Sequence, residues 1–452
     1  MKKILSTLFA CFFSLTVTYG QFIIKNVMFQ PTGLSNQGLV VGYVAQGGPY
    51  TIWKPDSTIT VNIGGLAPGN GIGSQAYFSD NGNFISGTSY GSAGAEMSRY
   101  NQSTNQWSVV GSLGFVVDST MGGGFGISGD GNTVVGLSWA DTAGGLAYAH
   151  GVAWNQAEGL MDLGSLFDTI GRSTRANAAS YDGKIVVGWQ DYNGPWKSAV
   201  WRKNPSGGYF KNQYLLIDST ASASNDSNQL GECSAISANG IWIGGYGDYA
   251  NNNQPWIWSR ATGVINLGTL PNGSQGYVSG INSDGSIVVG WFDGALFGDP
   301  QVPFIWTSAG GIQNLNSYVH NVLGLSTGVN QIYAASCISS NGQYIAGYGV
   351  DTSSFNYFAY RVSAVSSGIN ELSENNNVKV YPNPFTQQTT ISFSKDALYN
   401  IKIMDVLGNE IKTIRFSGKQ ITIEKEDMKE GIYFLNIIDE RKNVTNKKII
   451  IQ

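Results

Sequence analysis

Seven copies of one short phrase constrain this chain more than any other feature. In chain order they read LSNQGLVVGY (34–43), FSDNGNFISG (78–87), ISGDGNTVVG (127–136), SYDGKIVVGW (180–189), ISANGIWIGG (236–245), INSDGSIVVGW (281–291) and ISSNGQYIAGY (338–348). Their turn glycines, Gly38, Gly82, Gly131, Gly183, Gly240, Gly285 and Gly342, are spaced by 44, 49, 52, 57, 45 and 57 residues. Self-similarity at this period marks a repeat architecture. Asp-Gly or Asn-Gly between two extended apolar segments is a strong hairpin signal, because both residues tolerate the positive φ of a tight turn.

An aromatic-rich strand follows each phrase: PYTIWKP, AEMSRYN, HGVAWNQ, KSAVWRK, QPWIWSR, VPFIWTS and NYFAYRV. After most of these comes a shorter strand, such as NIGGL (62–66), MDLGSL (161–166) or INLGTL (265–270). Small residues lead into the first strand of several units (Gly124 and Gly126, Ala176 and Ala178, Ala334 and Ala335), as a crowded central channel requires. Four antiparallel strands repeated seven times describe the blades of a seven-bladed β-propeller, whereas the coils of a β-helix repeat at about half this period or less. The seventh unit lacks its fourth strand, and QFIIKNV (21–27) is a strand without a unit. Placing it as the outer strand of the last blade closes the ring and removes an exposed edge.

The two ends have other roles. Lys2 and Lys3 precede a short apolar run and Gly20, the order of a secretory signal peptide over residues 1–20. That run is short of the ~20 apolar residues of a membrane span, and no later stretch reaches that length. SAVSSGINELSENNN (363–377) is polar and aperiodic and reads as a linker between a propeller over 21–362 and a second domain over 378–452. The second domain alternates apolar and polar residues between turn signals, which predicts a small immunoglobulin-like β-sandwich. Residues 21–377 hold 12 basic against 21 acidic side chains, a net of −9, and residues 378–452 hold 12 against 9, a net of +3. An acidic propeller repels phosphate backbones, so nucleic acid is not expected as a partner. Outside the signal only Cys233 and Cys337 remain, and both are expected as free buried thiols.

Two resemblances add to this reading. ISGDGNTVVG, INSDGSIVVGW, VPFIWTS and INLGTLPNG (265–273) resemble the HAF-type extracellular repeat, which implies an exported, propeller-like domain without established chemistry. Tyr381-Pro382-Asn383-Pro384-Phe385, then MDVLGNEI (404–411) with Gly408, then EGIYFLNI (430–437) with Gly431, then a Lys-rich last strand, resemble the C-terminal sorting domain of the type IX secretion system of Bacteroidetes. That resemblance implies the secretion machinery as partner, passage through the periplasm, removal of the tail, and release or attachment to surface lipopolysaccharide.

Catalytic strings are few. Gly124–Gly129 matches a dinucleotide fingerprint without the helix that motif needs. Gly87–Gly91 and Gly324–Gly328 match a serine-hydrolase elbow, but they lack a strand-to-helix turn, and His150 and His320 are the chain's two histidines. Two histidines and two distant cysteines make no zinc site, so no metal and no cofactor is expected. One constellation does recur just past the glycine that ends each apolar run. Its aromatics are Tyr43, Trp139, Trp189, Tyr246, Trp291 and Tyr348, and acids follow most of them: Asp141, Asp191, Asp248, Asp293 and Asp351. Aromatic faces stack on sugar rings and carboxylates accept hydroxyl hydrogen bonds, so a glycan site is one expectation. The opposing expectation makes the aromatics wedges between blades and the acids caps of solvated turns. The leading reading is a secreted or cell-surface, non-catalytic binding or adhesion module. The alternatives are a carbohydrate-active enzyme using paired aspartates, or a purely structural surface protein.

Overall fold

The structure is a computed structural model that describes residues 21–25, 29–57, 59–67, 75–143, 146–167, 171–191, 196–213, 230–247, 254–296, 298–363, 378–405, 410–439 and 444–452. The signal segment 1–20 and the linker beyond Ser363 therefore lie outside the described residues. Contacts divide the chain into a larger unit, Gly20–Val365, and a smaller one that holds Ser366–Gln452.

The larger unit is β-propeller-like: its described strands form seven antiparallel sheets in chain order. In every sheet the first strand pairs with the second and the second with the third, and each phrase is the hairpin between first and second strands. All seven turn glycines adopt positive φ, between 67° and 78°. The fourth strands begin earlier than the sequence suggested, at Ile59–Gly64, Gly159–Asp162 and Gly263–Asn266. The fourth sheet has three strands, Thr174–Ala179, Ile185–Asp191 and Trp196–Arg202, with an isolated bridge from Lys203 to Tyr209 beyond them. In the seventh sheet the outer place is taken by Phe22–Lys25, which pairs antiparallel with Tyr357–Ser363.

The phrase is more than a turn. Its serine is buried, and in five copies the hydroxyl both donates to the Asp or Asn two residues on and accepts from the amide five residues on. In the fifth sheet Ser237 Oγ lies 2.7 Å from Asn239 Oδ1 and 2.9 Å from Trp242 N. The first or second residue after the serine, or after its Asn282 counterpart, then donates to the neighbouring sheet. Asn36 N donates to Asp80 O, Asp80 N to Gly129 O, Asp130 N to Tyr181 O, Tyr181 N to Ala238 O, Asn239 N to Ser283 O and Ser283 N to Ser340 O. Asn341 N returns the circuit to Asn36 Oδ1 at 2.8 Å. One phrase therefore sets both the hairpin within a sheet and its bond to the next.

A second device lies upstream. In six sheets the pairing of first and second strands slips by one residue at the same place, a β-bulge whose extra residue is Thr32, Phe125, Asn177, Ser234, Ser279 or Ser336. A bulge re-aims a side chain, and here polar ones reach the next sheet's first strand. Thr32 Oγ1 donates to Ala76 O at 2.6 Å, Asn177 Nδ2 to Cys233 O at 2.8 Å, Ser234 Oγ to Val278 O at 2.6 Å and Ser279 Oγ to Ala335 O at 2.6 Å. The same slip brings the preceding carbonyl under the glycine that ends the apolar run. A Cβ on Gly188, Gly245 or Gly290 would overlap the carbonyl oxygen of Arg175, Glu232 or Tyr277. That is why the run stops at glycine.

The first strands enclose a cavity of about 140 Å³ lined by small residues such as Gly33, Gly126, Ala178 and Gly280, together with bulkier ones such as Tyr77, Phe78 and Tyr181. Cys233 and Cys337 are free and buried, and burial pushes both thiols up. The first and seventh sheets are joined by Arg361, which is 2% exposed. Its guanidinium donates to Gly38 O at 3.1 Å, reaches Asp56 at 3.1 and 2.5 Å, and lies over the Tyr344 ring at 4.7 Å. Arg361→Ala should cost roughly 3–5 kcal/mol through the void and the orphaned carbonyl. Asp56→Ala should cost about 1 kcal/mol or less, because that carboxylate is 63% exposed and screened. Denaturant unfolding of both variants checks the split; equal costs would overturn it.

The smaller unit is a five-stranded antiparallel sheet built around the 17-residue strand Gln388–Met404, whose pairing with Glu410–Glu424 breaks register between Ser392 and Ala397. Its core draws on Phe385, Ile391, Ile401, Leu435, Ile437 and Ile449. Of the expected sorting residues, Phe385 is buried, and Asn383 Oδ1 accepts from Ile450 N at 2.8 Å. Tyr381 is exposed, Gly431 opens a strand, and Gly408 lies outside the described residues.

Candidate functional site

When the seven units are aligned on the phrase serine or its Asn282 counterpart, the residue five places earlier sits just before the bulge. In the fourth, fifth and sixth sheets it is Arg175, Glu232 and Tyr277, where the first and third have Gln30 and Gly123. These three side chains on adjacent strands form the polar centre of an arc at the end of the cavity away from the hairpin turns. Arg175 Nη2 donates to Glu232 Oε1 at 2.8 Å, and Asn177 Nδ2 reaches the same oxygen at 2.7 Å. Tyr246 Oη donates to Glu232 Oε2 at 2.7 Å, and Tyr277 Oη to Asp293 Oδ2 at 2.9 Å. Burial, and then the nearby carboxylate, pushes both phenols well above their usual range.

Aromatic rings connect these groups. Tyr246 meets Tyr277 edge-on at 4.5 Å, and Tyr277 stacks on Trp291 at 5.6 Å. On the other side Arg175 lies over Phe125 at 4.6 Å and over Trp189 at 5.3 Å. Phe125 occupies the bulge position that Asn177, Ser234 and Ser279 use for hydrogen bonds, so the repeat rule is broken where the arc begins. Such a local departure from an otherwise regular pattern is expected at functional positions.

The expected constellation is thus divided. Tyr246, Trp291 and Asp293 come together, half-buried, around Tyr277. Trp189 is 6% exposed and stacks face to face on Trp196 at 4.4 Å, and Trp196 is 48% exposed. Trp139 packs against Phe125, Leu137 and Ala149. Tyr348 hydrogen-bonds Gln301, and burial raises its phenol to about 12. Tyr43 is buried in the core of the first two sheets. Asp191 faces Arg172 at 3.4 Å, and Asp351 accepts from the amides of Ser353 and Ser354 in its own turn. Asp248 lies outside the described residues, as does the side chain of Asp141. Arg175, Glu232 and Tyr277 were missed because no motif surrounds them. Alignment of the repeats was the signal that could have found them, since two of the three are charged at a position held elsewhere by uncharged residues.

Several known proteins are similar to parts of this chain. An endo-acting ulvan lyase of Formosa agariphila is 37% identical over 76 residues, which is 17% of this chain and 15% of the lyase. The chain therefore spans a small part of that relative's length. Among solved structures, an oligogalacturonate lyase of Vibrio parahaemolyticus aligns with a TM-score of 0.46 at 15% identity, over 76% of this chain and 92% of that one. The β-propeller domain of the trilobed protease of Pyrococcus furiosus gives 0.45 at 10% identity, over 79% and 99%. PorZ of Porphyromonas gingivalis, a surface component of the type IX secretion system, gives 0.43 at 12% identity, over 95% and 60%. Residues 379–452 match the secretion system C-terminal sorting domain family, so this chain carries an export tail and is a secreted or cell-surface protein with a β-propeller-like body.

Proposed function

We propose that this protein is a non-catalytic binding or adhesion module for glycans, carried outside the cell on a closed seven-bladed propeller of HAF-type repeats. In this reading residues 1–20 are a signal peptide, 21–362 the propeller, 363–377 a linker and 378–452 an immunoglobulin-like sorting domain that the type IX machinery reads. After sorting, the protein is released or held on surface lipopolysaccharide. The circuit of hydrogen bonds around the seven hairpin turns and the outer placement of Phe22–Lys25 support closure.

The observation that carries the binding reading is the run Tyr246–Tyr277–Trp291, with Glu232 and Asp293 held by the two phenols. Flat rings beside fixed carboxylates offer a sugar both a stacking surface and acceptors for its hydroxyl groups. The enzyme alternative needs a pair of carboxylates poised for acid and base roles. The described acids of the set are instead committed: Asp191 to Arg172, Asp293 to Tyr277, and Asp351 to its own turn.

A glycan array probed with the mature chain tests this reading. Trp291→Ala should weaken binding at least tenfold while lowering stability by about 1–2 kcal/mol, since that ring is half-buried. Trp189→Ala should cost roughly 3–5 kcal/mol, because it empties a core position. Full retention of glycan binding by Trp291→Ala would sink the arc as a site.

A further inference from the structure

Beside the arc lies a groove of about 460 Å³. It forms where the chain crosses from the fifth sheet to the sixth and from the sixth to the seventh. Its volume falls within the range of small-ligand sites, about 300–1,000 Å³. Nine residues line it; five carry carboxamides (Asn272, Asn314, Asn316, Asn330 and Gln331) and none is charged. Leu270 and Pro271 supply an apolar side.

Three of the amides are fixed by the fold. Asn314 Oδ1 caps the helix Leu315–Asn321 by accepting from Asn316 N at 2.9 Å. Asn316 pairs with both backbone groups of Ile332, at 2.9 and 2.8 Å, and Asn330 Nδ2 donates to Thr327 O at 2.8 Å. Asn272 and Gln331 are exposed, and their side-chain amides have no hydrogen-bond partner among the described residues. Asn272 also holds a φ of 66°, a conformation uncommon outside glycine. The groove adjoins the arc: Gly273, next to Asn272, pairs with Gly294, and Ser274 Oγ donates to Asp293 O at 3.3 Å.

We infer that this groove is an extension subsite that receives the uncharged, hydroxyl- or acetamido-bearing units following those held on the Tyr277–Trp291 arc, so the ligand is a neutral polysaccharide chain. The inference rests on the binding reading above. A carboxamide both donates and accepts, as a hydroxyl does, so two free amides on a fixed floor match a polyhydroxylated chain. The groove offers no cation to a carboxylate or sulfate, and the 21 acidic against 12 basic residues of 21–377 repel polyanions.

The test is calorimetric titration of the mature chain with uncharged gluco-, manno- and xylo-oligosaccharides, short and long, with oligogalacturonates as the acidic arm. Longer uncharged chains should bind roughly tenfold tighter than short ones, the scale of one or two hydrogen bonds. Asn272→Gly with Gln331→Ala should erase that gain while leaving melting and short-chain affinity unchanged; glycine keeps the positive φ. Persistence of the gain in the double variant, or tighter binding of oligogalacturonates than of uncharged chains, would overturn the subsite. Absence of saccharide binding by the unaltered protein, or short-chain affinity that survives Trp291→Ala, would instead overturn the arc, and this inference with it.

Discussion

A chain that begins at residue 26 should unfold without the cooperativity of the intact protein and should aggregate. Phe22–Lys25 pairs residue for residue with Val362–Ala359, so its loss leaves the N–H and C=O groups of that strand without partners. Phe22 stacks on Tyr360 at 5.6 Å, and Phe22 and Ile24 cover the cluster that holds Tyr360 and Val362. Removing them uncovers apolar surface worth about 25 cal/mol per Å² and exposes a strand edge that can template pairing with other chains. The cost extends beyond one sheet, because the seventh sheet is bonded to the first through Asn341–Asn36 and through Arg361. In repeat architectures each unit draws stability from its neighbours, so opening one contact weakens the remainder. Calorimetric melting and size-exclusion chromatography on the shortened chain provide the check. An unchanged melting temperature and a monomeric elution would refute the proposed closure.

What could be read in the sequence followed from which signals are local. The hairpins were legible because a tight turn favours Asp-Gly or Asn-Gly at fixed positions, which six phrases carry while the first has Gln37-Gly38, and every phrase folds as one. The outer role of Phe22–Lys25 was legible because a missing strand in one unit and a strand without a unit leave few arrangements. The bulges were not, since a one-residue slip leaves no mark in an apolar–polar alternation. Yet the bulges carry Arg175, Glu232 and Tyr277 to the channel end and force glycine at 188, 245 and 290. The recurring aromatics showed the reverse problem. Trp189 and Trp291 occupy matching places after the same glycine, but Trp189 is sandwiched between Arg175 and Trp196 whereas Trp291 stands half-open on Tyr277. Their neighbours on the paired strands decide between wedge and platform, and those neighbours, 7 to 14 residues away in sequence, carry no motif that marks them.

Truncation after residue 372 should leave the Gly20–Val365 unit folded and should abolish its delivery to the surface, the protein then accumulating in the periplasm. The two consequences separate because, among the described residues, each unit has apolar clusters of its own. The cluster around Ile391, Ile401, Leu435 and Ile449 is built wholly from residues after 377, and the apolar clusters of the larger unit use none of them. A unit with its own buried apolar surface keeps its stability when a neighbour is removed. The address lies wholly in the removed part, since residues 379–452 are the portion that matches the sorting family. Cell fractionation and surface-protease accessibility of the truncated chain in its native host measure delivery, and far-ultraviolet dichroism with melting measures the fold. Moving residues 363–452 onto an unrelated periplasmic protein should carry that protein outward. Surface display of the truncated chain, or failure of the grafted tail to move its cargo, would show that the propeller-like unit takes part in its own export.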